Sequence, residues 1–155
     1  MSLEEAVETY SDMLYKICIV MLCNEQDAKD AVQETFCRYW EKKPEFKEQE
    51  HEKAWLLRVA ANYCRDQLRF RLRHPHIPID ELADSLIVGQ DQKETFLELM
   101  DLPAGQRAVI YLYYVEGYPV KEIAGLLGIS PQAVKKRMQR GRDQLRIFWK
   151  EECCR

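Results

Sequence analysis

The stretch VKEIAGLLGISPQAVKKRMQRGRDQLR, Val120–Arg146, decides how this chain is read. Ile123, Ala124 and Leu127 recur at helical spacing and form the inner face of a short helix. Gly128 follows, where a tight turn needs a positive φ that costs glycine nothing. Ile129 plugs the corner. Ser130 is placed to cap a second helix, and Pro131 takes its first position, where a missing N–H does no harm. Val134, Met138, Gly141 and Leu145, at steps of four, three and four, make the buried seam of that helix, and Ala124 is small enough for the two helices to cross closely. This is a helix-turn-helix pattern, whose second helix enters a major groove. The alternative is a plain helical hairpin with a basic face. The seam leaves Ser130, Gln132, Lys135, Lys136, Gln139, Arg140 and Arg142 off the buried side. Arg and Lys pair with guanine O6 and N7, Gln with adenine N6 and N7, and the free N–H groups at the helix start suit a phosphate.

Outward from this stretch, the chain predicts an all-α fold: two small helical domains joined by a flexible acidic linker, the second holding the helix-turn-helix. Upstream, Leu102-Pro103 opens another helix, with Val109, Ile110, Leu112 and Tyr113 apolar and Glu116-Gly117 ending it. Tyr111, Tyr113, Tyr114 and Tyr118 are expected in core and rim packing. In the first half, Ser2-Leu3-Glu4-Glu5 is a capping box. Behind it Leu3, Val7, Tyr10, Leu14, Ile17, Cys18 and Met21 form one apolar stripe. Asn24 caps a second helix, with Ala28, Ala31, Val32, Thr35, Phe36 and Tyr39 inward and Pro44 beyond its end. A third helix is expected from about Lys53 to Arg71, with Ala54, Leu57, Ala61, Cys64 and Leu68 inward. The stretch His74–Gln92, with Pro75, Pro78 and Gly89, reads as linker, with a short helical turn around Ile79–Leu86. The boundaries expected are 1–73, a linker at 74–93, and 94–155.

The 155 residues net only −3, with 46% hydrophobic and 32% charged residues. Wholesale disorder is excluded, and so is a polyanion footprint over the whole molecule. No apolar run is long enough to span a bilayer, and MSLEEAVETY has no hydrophobic signal core, so membrane insertion and secretion are not expected. Six cysteines with no CxxC pair suit a reducing cytoplasm; Cys18, Cys37 and Cys64 fall within apolar helical patterns. Charge is distributed in blocks. From Met1 to Glu34 eight acids face two bases. From Lys53 to Arg73 six bases face Asp66. From Asp80 to Asp101 seven acids face Lys93, and from Ser130 to Arg146 six bases face Asp143. Two basic segments in an acidic chain point to two local polyanion contacts, against the alternative of solvated helix faces.

In DAKDAVQETF, Asp27–Phe36, the residues Asp27, Asp30 and Glu34 share one helix face with Gln33 beside them. No histidine is near, so a docking face for a basic partner fits better than a metal site. On the third helix Arg58, Asn62, Arg65 and Arg69 recur at i, i+4, i+7 and i+11, a basic stripe with an amide in it. That suits a nucleic-acid backbone plus one base edge. Aromatics beside such a stripe can stack on an unpaired base, although Trp40 and Trp55 read first as core anchors. Nothing resembles a nucleophile–base pair, a phosphate loop or a metal set, so no catalysis, metal or cofactor is expected.

Taken together these segments resemble the bacterial extracytoplasmic-function (ECF) sigma factors, over about Tyr10–Arg73 and Leu102–Arg146. DAKDAVQETF is similar to the D-A-E-D-x-x-Q-[ED]-x-F segment of region two, and AWLLRVAANYCRDQLR to its A-W-L-x-[RK]-I-A-x-N-x-x-x-D-x-x-R segment. The stretch Leu102–Arg146 is similar to region four. The resemblance implies a non-catalytic subunit of bacterial RNA polymerase. Asp27, Asp30, Gln33 and Glu34 would dock on the clamp helices of the core enzyme. Arg58, Asn62, Arg65 and Arg69, with the loop between Phe46 and Trp55, would hold the melted minus-ten element. Residues Ser130–Arg146 would bind the minus-thirty-five element, with Lys135, Lys136, Gln139 and Arg140 on the bases. The linker would thread toward the RNA exit path. An anti-sigma partner is also implied.

Some residues depart from the pattern. Lys29 stands for an acid in the docking motif, and Pro119 and Gly141 replace the more usual Ser/Thr and Ala. The segment Lys47–Lys53 is acidic, yet Glu48 or Glu50 can accept from cytosine N4. His51 reads as a surface residue, and Cys153 and Cys154 as a frayed tail. The competing function is a free-standing helix-turn-helix regulator whose first domain senses a ligand or dimerises.

Overall fold

The computed structural model describes residues 2–70 and 99–153, with side chains as far as Leu145. The expected linker at 74–93, the turn at 79–86, Arg71, Arg73 and Cys154 lie outside the described residues, as does the side chain of Cys153. Every described element is a helix or helical turn; among the described residues there is no strand. The chain divides into two compact units, Met1–Ile77 and Pro78–Arg155.

The first unit packs three helices pairwise: α1 (Leu3–Leu22), α2 (Glu25–Lys42) and α3 (Gln49–Phe70). Ser2 caps α1 by accepting from the Glu5 N–H at 3.1 Å, and Asn24 caps α2 by accepting from the Asp27 N–H at 2.8 Å. Both helices end on a left-handed residue, Cys23 (φ 53) and Lys43 (φ 44), whose N–H closes back on Ile19 and Tyr39. Leu14, Ile17, Leu56 and Leu57 are fully buried, each contributing about 1.5–3 kcal/mol of burial.

The apolar stripe of α1 holds in part. Tyr10, Leu14, Ile17, Cys18 and Met21 are buried, while Val7 is exposed and Ala6 takes the inward place beside it. The last turns, Ile17–Leu22, are buried on every side, because that run is apolar at every position. Cys37 is exposed rather than inward. Helix α3 begins at Gln49, four residues before the expected Lys53, so the acidic segment is mostly helix. Its buried face is centred on Leu56, Leu57, Ala60, Ala61 and Cys64, with Ala54 and Leu68 only half-buried at its edges.

The second unit holds α4 (Ala104–Ile110), a π-helical turn (Tyr111–Val115), α5 (Val120–Leu127) and α6 (Pro131–Cys153). The buried Arg107 guanidinium donates to the Leu102 carbonyl at 2.7 Å and braces the start of α4. The π turn carries one more residue per turn than an α-helix. It leaves Tyr111 and Leu112 buried and Tyr113 exposed, reversing the expectation for Tyr113. Gly128 sits at φ 69, ψ 34, and the Ser130 hydroxyl accepts from the Ala133 N–H at 3.1 Å. Val134, Met138, Gly141 and Leu145 are the buried seam of α6, as the spacing predicts. A Cβ on Gly141 would stand 3.0 Å from Ile110 Cγ1, so the missing side chain is what lets α6 lie close to α4.

Candidate docking and nucleic-acid interfaces

Helix α2 carries the acidic face. Asp30 and Gln33 are exposed, Asp27 and Glu34 half-buried at its margins. Asp30 accepts from the Gln26 side-chain amide at 3.0 Å, and Glu34 pairs loosely with Arg38 at 3.8 Å. Lys29, the departure in the motif, is tied to Glu25 at 3.0 Å within its own helix. Tyr63 of α3 lies close enough to feel the face: burial first, then the charges of Glu34 and Asp30, push its hydroxyl pKa up. No group of three potential ligands among the described residues could hold a metal. A groove of about 510 Å³ runs beside the face, floored by Val7, Tyr15, Val32 and Phe36.

The stripe on α3 is present as spaced. Arg58 and Arg69 are exposed, Asn62 and Arg65 half-buried. Arg65 donates to Asn62 Oδ1 at 3.0 Å, and Arg69 approaches Asp66 at 3.9 Å. Before α3 opens a cleft of about 890 Å³, walled by the ends of all three helices and by the 43–48 segment. Trp40 lines it and is 56% exposed, so it is not a core anchor; Lys43 Nζ stands 4.9 Å over its ring. Trp55 is half-buried against Tyr39 and Phe46, at 6.1 and 6.0 Å between ring centres. Glu48 and Glu50 are exposed, and His51 stands 3.7 Å from Glu48.

Sequence reasoning missed Glu52, which is 6% exposed and lines the same cleft. Its Oε1 accepts from the Tyr10 hydroxyl at 3.1 Å and its Oε2 from the Tyr39 hydroxyl at 2.8 Å. Lys43 was missed too, although a lysine three residues after a tryptophan on a helix end signals a stacked pair. Burial, followed by the hydrogen bond to Glu52, raises the Tyr39 pKa from 10.0 to about 12. The folded chain therefore keeps a proton that the unfolded chain loses above pH 10. The stabilisation is full below pH 10 and is lost as pH rises toward 12, by on the order of 2–3 kcal/mol. Urea midpoints measured across this window should fall steeply in the native sequence and more gently in Tyr39→Phe.

On α6, Ser130, Gln132, Lys135, Lys136, Gln139, Arg140 and Arg142 are all exposed. Arg142 is engaged within the unit. Its Nε donates to the Tyr114 hydroxyl at 2.8 Å, and its guanidinium stacks 5.7 Å from that ring. Tyr113 meets Tyr114 edge to face at 5.0 Å. Arg137 is half-buried, lying over Gly105.

Residues 6–74 match the family model of sigma-70 region 2, and residues 97–145 that of sigma-70 region 4. The chain is 29% identical to the ECF RNA polymerase sigma factor SigW of Bacillus subtilis, over 92% of this chain and 86% of SigW. It is 33% identical to the RNA polymerase sigma factor CnrH of Cupriavidus metallidurans, over 78% of this chain and 72% of CnrH. Other relatives are longer, and the chain spans 61% and 33% of two of them. The structure of CnrH in complex with the cytosolic domain of CnrY matches with a TM-score of 0.64 at 27% identity, covering 96% of this chain and 88% of CnrH. The sigma factor RpoE of Bartonella quintana, solved in complex with the anti-sigma factor NepR, shares the fold with a TM-score of 0.71 at 24% identity, covering 95% and 96%. With both regions matched in order and the helix-turn-helix in place, the chain belongs to the ECF family of RNA polymerase sigma factors.

Proposed function

We propose that the chain docks on core RNA polymerase through Asp27, Asp30, Gln33 and Glu34, and holds a promoter at two places. Residues 1–73 form the docking and minus-ten part, 94–155 the minus-thirty-five part, and 74–93 the linker between them. Arg58, Asn62, Arg65 and Arg69 follow the backbone of the melted strand, while the cleft ahead of α3, with Glu48 and Glu50 at its approach, receives an unpaired base. Ser130, Gln132, Lys135, Lys136, Gln139, Arg140 and Arg142 present α6 to duplex DNA, with the base contacts on Lys135, Lys136, Gln139 and Arg140. The observation that carries the reading is the placement of charge on particular faces: Asp27, Asp30 and Glu34 share one side of α2, Arg58, Arg65 and Arg69 run along α3, and α6 exposes Lys135, Lys136, Arg140 and Arg142.

The chain needs no chemistry of its own for this role, and no metal or cofactor. Each basic surface alone is small, so free protein holds duplex weakly. Engagement of both on one enzyme turns two weak contacts into one avid contact. No helix among the described residues is long and apolar enough to cross a membrane; the proposed role beside core polymerase and promoter puts the site of action in the cytoplasm. An anti-sigma factor is a further expected partner, since RpoE is solved with the anti-sigma factor NepR and CnrH with the cytosolic domain of CnrY.

Run-off transcription with purified core polymerase on a genomic fragment library tests the proposal. Specific transcripts that require the chain support it; tight duplex binding without any dependence on core refutes it. Arg140→Ala should cost about 1–3 kcal/mol of binding and relax preference at one promoter position. Footprints with unchanged specificity would remove Arg140 from base readout.

A further inference from the structure

Glu52 is a buried acid with no part in the contacts proposed so far. Its placement is specific. It lies in the first turn of α3, where a carboxylate is favoured by the helix dipole. Each of its oxygens accepts from a different helix: Oε1 from Tyr10 of α1, Oε2 from Tyr39 of α2. Tyr10 also reaches the Gln49 carbonyl at 3.4 Å, the residue on which α3 begins. These three helices are the ones whose ends wall the cleft: Ser2 and Leu3 of α1, Tyr39 and Trp40 of α2, Gln49 and Glu52 of α3.

A buried carboxylate is costly to desolvate, and a well-packed apolar residue of similar volume is often as stable or more so. Burial alone therefore gives no reason for an acid here. Two directed hydrogen bonds do: they fix the angle and register at which α3 leaves the cleft, which an apolar contact would leave free to slide. The rim is otherwise set by the left-handed Lys43 and by Pro44, which fix only the α2 side.

We propose that Glu52 is a positioning residue for strand opening: by joining Tyr10 and Tyr39 to the first turn of α3, it holds the cleft in the shape that accepts an unpaired base. This rests on the reading of α3 and its preceding segment as the minus-ten surface. Glu52 does not itself touch the base. It acts through the wall it holds in place.

The test uses holoenzyme made from the full chain and core polymerase, on the promoter that the wild-type chain selects from a genomic library. Strand opening is read by permanganate reactivity of unpaired thymines, core affinity by co-elution, and folding by thermal melting of the free chain. Glu52→Leu should melt no lower than wild type and bind core normally, yet lose opening at least tenfold. Tyr10→Phe with Tyr39→Phe, which keeps both rings, should reproduce the loss. Glu52→Gln, which keeps one carbonyl acceptor, should fall between. Full opening by Glu52→Leu overturns the proposal. If Glu52→Leu does not fold, full opening by the double phenylalanine variant overturns it instead. Arg58→Ala and Asn62→Ala separate the two claims. If these also open normally, the α3 reading fails and Glu52 falls with it; if they lose opening while Glu52→Leu does not, only the Glu52 proposal fails.

Discussion

Asp30→Lys combined with Glu34→Lys is expected to lower affinity for core polymerase at least a hundredfold while leaving the melting temperature nearly unchanged. Asp30 is exposed and Glu34 half-buried on the outer side of α2. Their partners are weak: one exposed hydrogen bond from Gln26 and one ion pair to Arg38 stretched to 3.8 Å. Exposed pairs of this kind contribute at most about 1 kcal/mol each, and the cation introduced by Glu34→Lys costs a few tenths beside Arg38. Neither side chain belongs to the core, which lies on the Ala28, Ala31, Thr35 and Tyr39 side of the helix. A basic partner surface, in contrast, would meet four units of changed charge. Like charges pressed together across an interface cost several kcal/mol. Fluorescence anisotropy of labelled chain titrated with core measures the loss, and circular dichroism checks the fold. Wild-type affinity in the doubly reversed chain would remove α2 as the docking face.

The second large effect falls on Gly141. A Cβ there would already lie 3.0 Å from Ile110 Cγ1 and 3.2 Å from its Cδ1, and Ile110 is fully buried. Gly141→Leu adds three further carbons at that contact. Better helix propensity returns roughly 1 kcal/mol, while overpacking costs about 1–3 kcal/mol and sometimes more. Because Ile110 has no space to withdraw into, the net loss should reach about 2 kcal/mol, a large share for a unit this small. A urea titration of the full chain should show the second unit unfolding at lower denaturant. Ile110→Ala in the same chain makes room and should restore much of the loss. A Gly141→Leu variant as stable as wild type would mean that α4 and α6 do not meet at this contact.

The parts of the fold legible in sequence are those written in short-range chemistry. Ser2, Asn24 and Ser130 each cap the helix predicted for them, Gly128 turns where only a residue at ease with positive φ can, and the seam of α6 is buried at its four spaced positions. The misreadings have non-local causes. The first turn of α3 is charged and carries no strong start signal, so its periodicity is silent until Leu56. Glu52 is buried only because phenols 42 and 13 residues away meet it. Trp40 follows Tyr39 by one residue, which turns it about 100° off the buried face, and apolarity alone does not reveal that. The π turn adds a residue that no three-four spacing anticipates, and so Tyr113, read as one of the apolar positions of the helix, stands exposed. The candidate surfaces were more legible than the core because each is a run of like charge along one helix. The cleft was not, since its walls come from three separate stretches of chain.

The clasp between Arg142 and Tyr114 bears on how promoter grip responds to ionic strength. Each phosphate that a side chain neutralises releases about one counterion from DNA, so binding weakens with added electrolyte in proportion to the number of such contacts. The Tyr114 phenol is neutral and takes only the Nε of Arg142, so the stacked guanidinium keeps its whole charge and meets a phosphate from a position already fixed. Arg142 thus contributes its ion to the electrolyte slope in full while giving up less side-chain freedom on binding, and Tyr114→Phe should loosen the grip without altering that slope.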